Sequence, residues 1–548
     1  MFLKIFCVIS ILYFSSSVAQ DVIVQTPVGQ YRGTTQSSYN GSAYYAFYAI
    51  RYGKPPVGQL RFQAPVPVDP FDGVYDATQQ TGIMCHQLNS DSPLQDEDCL
   101  LLNVFTPNTS PDEPLPVMFY IYGGGFNSGS IWDYTPDFFM DTGNMIIVVV
   151  NYRISSFGFL STGDDVIPGN AGLKDQLLGL KWVNKYISAF GGDPSKVTLV
   201  GQSAGAASVA FHILSPQSAG LFRGALAGSG TSLNPWAYNK DQVEMSFGTV
   251  ATLNSQFRDS RNSTEILAYL QTADAKDIDA ATLEYSYAIG NINNQQLQQA
   301  FFYAPVVEHH DNEPFLTDLP YESLEKGNFN KVPLLIGTSS EEGLSSLAGM
   351  EWFLSEYAKN YSTLVPEDMH IGDLVTLKEV GELIKEEYSL DATNFLAGVK
   401  FRTDQDFQKS LIKHAYLQAP HSDVFFYVFS YVGEMGGNSE TLPGSGNVTH
   451  SEDLSYIWAW RNPADYPLAD QIVNKRMVNI YSNFVIYQNP IPQQDSLFKV
   501  TWPTVQPDNF QYVDIDAELT VKNDYKKERY DFWDNLYKTY AVRPFDAF

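Results

Sequence analysis

Short, uninterrupted apolar runs separated by amphipathic stretches limit most strongly how this chain can fold. One run spans Leu115 to Gly124 and another spans Met145 to Arg153. Both are too short for a core helix and are rich in β-branched residues, which predicts buried strands. The stretch from Gly169 to Pro194 has apolar residues at helical spacing. Alternating buried strands and helices predict an α/β fold with a large, mostly parallel sheet and helices on both faces.

A serine stands between two glycines where the next apolar run passes into a helical stretch. The segment KVTLVGQSAGAASVAF is centred on Ser203, with Gly201 and Gly205 on either side. These glycines permit a sharp strand-to-helix turn that projects the hydroxyl above the carboxyl end of the sheet. The following helix would place its first amides, beginning with Ala204, beside a developing oxyanion. We therefore predict a nucleophilic serine, with a structural turn as the alternative.

A serine nucleophile needs a base that accepts its proton, and His450 is the best candidate. It follows the flexible turn GSGNVT, which itself follows the predicted strand DVFFYVFSYV. Ser451, Glu452 and Asp453 come next, and we expect them to begin an amphipathic helix. A polar surface histidine is the alternative interpretation, because a lone histidine is not a specific signal.

Two further segments offer an acid and hydrogen-bond donors at strand ends. The strand in VPLLIGTSSEEG ends with Glu341 and Glu342, and the pattern does not choose between them. Either could orient the imidazole, although a solvated acidic turn has the same appearance. Gly123, Gly124 and Gly125 follow the strand that begins at Leu115, and their unshielded amides could face an oxyanion.

The N-terminus predicts export. Residues 1–19 contain an early lysine, an apolar run and a small-residue cleavage site, as a signal peptide does. A membrane anchor is the alternative, but the run is short for a span, and no second run of about 20 apolar residues follows. We expect a secreted, extracellular protein without a stable membrane anchor, in which residues 20–548 form one domain.

Cysteine and asparagine usage agrees with export. Cys85 and Cys99 remain after cleavage as an even pair, for which we expect a disulfide, with two buried thiols as the alternative. Glycosylation sequons begin at Asn40, Asn108, Asn262, Asn360 and Asn447. Asn447 is the least favoured acceptor because it lies near His450.

Charge and missing motifs exclude several classes of function. The net charge of −28 repels nucleic acid and anionic membranes. The chain has no HExxH, no paired CxxC, no GxGxxG after a strand and no G-K-[S/T] after its glycines. We therefore expect a small-molecule substrate, no cofactor and no metal. The sequence gives no prediction of oligomeric state.

The motifs together resemble the type-B carboxylesterase and cholinesterase family from Val22 to about Asn535. The resemblance is carried by EDCLLLNVFTP, YIYGGGFNSGS, NYRISSFGFL, GNAGLKDQLLGLKWV, FGGDPSKVTLVGQSAGAASV, LLIGTSSEEG and GNVTHSEDL. It implies the α/β-hydrolase fold and hydrolysis of carboxylic esters.

The resemblance also assigns roles to residues. By motif, the family's nucleophile, acid and base correspond to Ser203, Glu342 and His450, which decides between the two glutamates in favour of Glu342. The remaining correspondences are oxyanion amides at Gly124, Gly125 and Ala204, a disulfide between Cys85 and Cys99, and a serine near the acid at Ser229.

Two departures from the cholinesterase pattern bear on the substrate. The segment between Cys85 and Cys99 has no tryptophan on which a quaternary ammonium could stack, and Gln202 stands where many relatives have glutamate. The motif GQSAG with STGDDVIPGN resembles secreted arthropod carboxylesterases, including juvenile-hormone-esterase-like members. We expect a serine carboxylesterase for neutral, apolar esters. The alternatives are a lipase-like hydrolase of long-chain or sterol esters and a catalytically silent binding or adhesion protein.

Overall fold

The computed structural model describes residues 21–88, 90–293 and 302–548. The predicted signal peptide at residues 1–19 lies outside the described residues. The strands are β1 Val22–Thr26, β2 Gly29–Ser37, β3 Ala43–Arg51, β4 Val74–Asp76, β5 Leu101–Thr106, β6 Leu115–Ile121, β7 Ile146–Val150, β8 Gly192–Gln202, β9 Gly224–Gly228, β10 Leu334–Ser339, β11 Val424–Phe429, β12 Gln511–Ile515 and β13 Leu519–Asn523.

The α-helices lie mostly between these strands. They are α1 Asp137–Met140, α2 Ser155–Phe159, α3 Ala171–Tyr186, α4 Ala204–Leu214, α5 Gln242–Leu253, α6 Ser263–Leu270, α7 Ala275–Asn293, α8 Pro320–Glu325, α9 Met350–Lys359, α10 Leu374–Tyr388, α11 Phe395–Thr403, α12 Lys409–Gln418, α13 Leu468–Tyr487 and α14 Lys527–Tyr540.

Within the described residues, the strands form one mixed sheet of 13 strands. Its order is β1-β2-β3-β5-β7-β6-β8-β9-β10-β11-β12-β13, with β4 beside β2. The centre, from β7 through β12, is parallel. Antiparallel pairs extend it at both edges. Every residue of β7, β9, β10 and β11 is buried, as their largely apolar sequences predict.

Helices cover both faces of the sheet, and strand β8 shows this directly. A side chain at Gly201 would meet the backbone of Gly205 in α4. Thr198 lies three positions earlier and therefore points to the opposite face. Its hydroxyl accepts a hydrogen bond of 3.0 Å from Gln488, immediately after α13. Helices α4 and α13 thus sandwich the strand that leads to Ser203.

Two local expectations need correction. The strand predicted from Leu115 to Gly124 ends at Ile121, and that from Met145 to Arg153 covers Ile146–Val150, since the chain leaves the sheet to form loops. The prediction of an amphipathic helix after His450 is wrong. Glu452–Tyr456 is a short 3-10 helix, and all five of its residues are buried.

Candidate active site

Ser203 sits on a strained turn between β8 and α4. Its backbone has φ 57° and ψ −127°, a combination that L-residues rarely adopt. A Cβ at Gly201 would lie 2.4 Å from the carbonyl oxygen of Gly205, and a Cβ at Gly205 would lie 2.0 Å from that of Ile121. The Ser203 amide donates to Gly228 of β9 at 2.8 Å. The two glycines therefore allow the tight packing that holds the serine at the carboxyl end of the sheet.

A continuous hydrogen-bonded chain joins three residues that are far apart in the sequence. Nε2 of His450 is 2.9 Å from Oγ of Ser203, and Nδ1 of the same ring is 2.6 Å from Oε2 of Glu342. With the imidazole proton on Nδ1, the ring donates to the carboxylate and accepts from the serine hydroxyl. This arrangement can remove a proton from Ser203.

The acid that reaches the histidine is Glu342, which is 0% exposed. Its Oε1 accepts from the hydroxyl of Thr338 and the amide of Ser339, both at 2.8 Å, which leaves Oε2 for His450. Burial alone would raise the pKa of this carboxyl, but the His450 charge and the hydrogen bonds lower it below its usual value. The carboxylate is therefore held ionised beside the imidazole.

Glu341, the other candidate acid, lies elsewhere. It is half-buried and lines a separate cleft of about 740 Å³ with Lys400 and Asp404. It meets the histidine loop before His450: its amide donates to the carbonyl of Val448 at 3.0 Å, and a Cβ at Gly446 would lie 2.9 Å from its Oε1. The structure thus brings Glu342 and not Glu341 to His450.

Ser229 lies close to the acid on the loop after β9. It is buried, has φ 54°, and its hydroxyl contributes to the lowered pKa of Glu342. The hydroxyl makes no hydrogen bond of regular length and angle to any described residue. Ser229 therefore acts on the carboxylate by proximity, whereas Thr338 makes a regular hydrogen bond to it.

The glycine loop after β6 packs directly on the serine turn. A Cβ at Gly123 would lie 2.9 Å from Cβ of Ser203. Gly124 and Gly125 have φ 105° and 62°, in the region that favours glycine. Ala204 is the first residue of α4, so its amide has no partner within the helix. The two segments predicted to supply oxyanion amides are thus neighbours.

His450 is carried by a long connection without helix or strand. Residues 430–451 link β11 to the 3-10 helix at Glu452–Tyr456. Several hydrogen bonds hold the end of this histidine loop. Asn438 donates its amide to the carbonyl of Asn447 at 2.9 Å, the amide of Thr449 donates to Glu452 at 2.9 Å, and the carbonyl of Val448 accepts from the amide of Glu341 at 3.0 Å. The aromatic ring of Phe407 packs on the imidazole at 4.7 Å between centroids.

Sequence reasoning missed the contacts that support the imidazole. Phe407 belongs to a π-helical turn, Asp404–Gln408, between α11 and α12, and no local pattern predicted that turn. Gln202 was noticed for its lack of charge, but its amide nitrogen also donates to Oγ of Ser451 at 2.8 Å. The sequence did contain one signal for the second contact, because the polar residues Gln202 and Ser451 stand directly beside Ser203 and His450.

Two further carboxyl groups lie beneath the histidine loop. Burial raises the pKa of Glu452 to about 7. Burial, and secondarily the charge of Glu342, raise the pKa of Asp453 to about 7. A side chain at Gly228 would lie 3.8 Å from Oδ2 of Asp453, which places this carboxyl below the end of β9. The acidic residues after His450 are therefore buried and not part of a solvated helix face.

The remaining predicted sites lie away from this centre. Cys85 and Cys99 form a disulfide. Asn40, Asn108, Asn262 and Asn360 are exposed, whereas Asn447 is half-buried and its side-chain oxygen accepts from the amide of Leu442 at 3.3 Å. His309 and His310, the other histidines considered, are exposed.

Two features are absent from the described part of the chain. Residues 21–88, 90–293 and 302–548 contain no cluster of three or more His, Cys, Asp or Glu side chains arranged to hold a metal ion. Over the same ranges, no helix combines the length and the apolar character needed to cross a bilayer.

Comparison with known families agrees with the sequence motifs. The family model described as the carboxylesterase family matches residues 20–533. The chain belongs to the carboxylesterase family. This carboxylesterase is 33% identical to a carboxylic ester hydrolase from Bombus ignitus over 555 residues, which covers 95% of each chain. It is 31% identical to venom carboxylesterase-6 from Apis mellifera over 553 residues, or 94% of each chain.

A solved structure shares its architecture. The crystal structure of juvenile hormone esterase from Manduca sexta, with OTFP covalently attached, superposes with a TM-score of 0.83 at 27% sequence identity. The match covers 95% of this carboxylesterase and 100% of that chain. The predicted α/β-hydrolase fold, the resemblance to arthropod carboxylesterases and the assignment as a carboxylic ester hydrolase are thereby confirmed.

Proposed function

We propose that this carboxylesterase is a secreted serine enzyme that hydrolyses neutral, apolar carboxylic esters through Ser203, His450 and Glu342. The observation that carries the proposal is the unbroken chain of hydrogen bonds at 2.9 Å and 2.6 Å from serine to imidazole to buried carboxylate. Residues 20–548 act as one catalytic domain, which is supported by the single sheet of the described residues.

Acylation begins when Ser203 attacks the carbonyl carbon of the ester. Nε2 of His450 takes the hydroxyl proton as the C–O bond forms, and Glu342 stabilises the imidazolium. The negative charge on the former carbonyl oxygen faces the amides of Gly124, Gly125 and Ala204. When the tetrahedral intermediate collapses, His450 gives its proton to the leaving alcohol, and the acyl group remains on Ser203.

Deacylation repeats these steps with water as the nucleophile. His450 takes a proton from water while the water oxygen bonds to the acyl carbon. The second tetrahedral intermediate expels the Ser203 oxygen, which regains a proton from the imidazole, and the carboxylic acid leaves. No cofactor or metal is required by this sequence of steps.

The preference for neutral esters follows from side chains near the reacting atoms. Gln202 is 3% exposed and stands beside Ser203 without a charge. No tryptophan occurs between Cys85 and Cys99 to bind a quaternary ammonium. Phe407 presents an aromatic ring beside the imidazole. These features favour an uncharged, apolar substrate over a choline ester.

Secretion is proposed from the predicted signal peptide at residues 1–19. It is supported by the similarity to venom carboxylesterase-6 and by the disulfide between Cys85 and Cys99. Asn40, Asn108, Asn262 and Asn360 are then available for glycosylation, since all four are exposed. The polar contacts of Asn447 make it the poorest acceptor among the sequons.

The test is hydrolysis of 4-nitrophenyl acetate, butyrate and longer esters by the purified protein and by Ser203→Ala. We expect the variant to lose activity by a factor on the order of 10⁴ or more. Equal rates for the two proteins would contradict the proposal. A rate that rises steadily toward long chains would favour the lipase-like alternative. Failure of a fluorophosphonate probe to label wild-type protein would favour a catalytically silent relative.

A further inference from the structure

A second hydrogen bond runs beside the one between serine and histidine. Gln202 precedes Ser203 on the strand-to-helix turn, and Ser451 follows His450 on the histidine loop. The amide nitrogen of Gln202 donates to Oγ of Ser451 at 2.8 Å. The two segments that meet at the reacting atoms are therefore joined twice, by neighbouring pairs of residues.

The same amide nitrogen also faces the imidazole. Nε2 of Gln202 lies 3.4 Å from Nε2 of His450, the ring atom that is 2.9 Å from the Ser203 hydroxyl. An amide NH₂ group carries two hydrogens and accepts none. One hydrogen is directed to Ser451, so the other faces the ring nitrogen. This geometry suits an unprotonated Nε2 and opposes a protonated one.

We propose that Gln202 is a positioning residue whose amide, held by Ser451, keeps Nε2 of His450 free of a proton and directed at Ser203. Gln202 acts on the imidazole through its own amide N–H group and does not contact the substrate. The contact becomes unfavourable once the imidazolium forms, which promotes transfer of its proton to the leaving alcohol. This inference rests on the proposed roles of Ser203 and His450.

Other charged groups around the imidazole are the same in every variant at Gln202. Glu342 faces Nδ1 from the segment after β10. Asp453 acts on His450 from the 3-10 helix that follows it, and Glu452 lies beside Asp453. A change in pH dependence on substitution of Gln202 therefore reports the loss of its amide. A carboxylate at this position would have the opposite effect and would stabilise the imidazolium.

The experiment measures kcat and KM for 4-nitrophenyl butyrate from pH 5 to 9 in wild type, Gln202→Glu, Gln202→Met, Ser451→Ala and the Met/Ala double variant. Gln202→Glu should move the acid limb of kcat/KM to higher pH by about one unit or more. Gln202→Met should move it less and lower kcat about tenfold, with KM little changed. Gln506→Glu adds the same charge at an exposed position and should leave the profile unchanged.

The double variant distinguishes positioning from general support of the fold. Because Ser451 acts through the amide, Ser451→Ala should lower activity in wild type but have no further effect in Gln202→Met. Independent effects of the two substitutions, or an acid limb that stays in place in Gln202→Glu, overturn the inference. If Gln202→Met does not fold, the Ser451→Ala variant still tests the inference, because Ser451 is half-buried and holds the Gln202 amide. The acid limb of its kcat/KM profile must then move to higher pH. A wild type without esterase activity contradicts the proposed function instead.

Discussion

Replacing Asp453 with asparagine should stabilise the folded protein, and by an amount that depends on pH. Asp453 is 1% exposed, and its Oδ1 has no hydrogen-bond partner among the described residues. Burial and the neighbouring charge of Glu342 raise its pKa from 3.8 to about 7. Burial and the Asp453 charge in turn raise the pKa of Tyr427 and Tyr481, which share this region. The carboxyl thus occupies a site that disfavours its ionised form.

The size of the effect follows from the difference between the folded and unfolded pKa values. A shift from 3.8 to about 7 corresponds to about 4 kcal/mol, at about 1.4 kcal/mol for each unit. Below pH 4 both states hold the proton, and the shift has no effect on stability. Between pH 4 and 7 only the unfolded state ionises, so the folded state loses stability as the pH rises. Above pH 7 the full destabilisation is present, and asparagine removes it.

The assay is urea unfolding of wild type and Asp453→Asn from pH 5 to 8 with the disulfide intact. The difference in unfolding free energy should grow across this range by more than half of the full effect, on the order of 2 to 3 kcal/mol. Packing changes caused by asparagine add an offset that does not vary with pH. Asp508→Asn, which removes an exposed carboxyl, is the control. A difference between wild type and Asp453→Asn that is constant from pH 5 to 8 would refute the reasoning.

Two further substitutions test the acid and the disulfide. Glu342→Gln should lower kcat by a factor on the order of 10³ to 10⁴, because an amide cannot stabilise the imidazolium as a carboxylate does, whereas Glu341→Gln should retain activity; equal losses in the 4-nitrophenyl butyrate assay would contradict the assignment. The Cys85→Ser/Cys99→Ser double variant should lower the unfolding free energy by about 3 kcal/mol, since the bridge closes a short loop between residues 14 positions apart. Titration of free thiols in the wild-type protein is the control, because it shows whether the disulfide is fully formed. If the wild type is fully oxidised, an unchanged urea midpoint in the double variant would contradict that expectation.

The turn at Ser203 could be predicted from the sequence because its signal, a glycine on each side of the serine, is local. Gly201 and Gly205 lie within two residues of the serine, and the contacts that exclude larger side chains there involve the same strand and helix or the adjacent β6. The apolar runs likewise predicted buried strands, because a strand that is covered on both faces has apolar residues at successive positions.

The choice between Glu341 and Glu342 could not be made from the residues alone. Both follow the same strand, and the outcome depends on where the chain brings His450, which is 108 positions away from Glu342. The resemblance to a family supplied this information instead. The sequence analysis named Asp453 and Gln202 but predicted neither the burial of Asp453 nor the hydrogen bond from Gln202 to Ser451. Both depend on the packing of strands and loops that are distant in the sequence.

His450 is brought to Ser203 by residues 430–451, a connection of 22 positions that contains no helix or strand. Ser203, in contrast, is fixed between the sheet and α4. Such connections open at a lower free energy than the sheet they extend from. Heating should therefore abolish turnover while the sheet remains intact, and cooling should restore it. On this reasoning, activity should be lost at a lower temperature than the native fold.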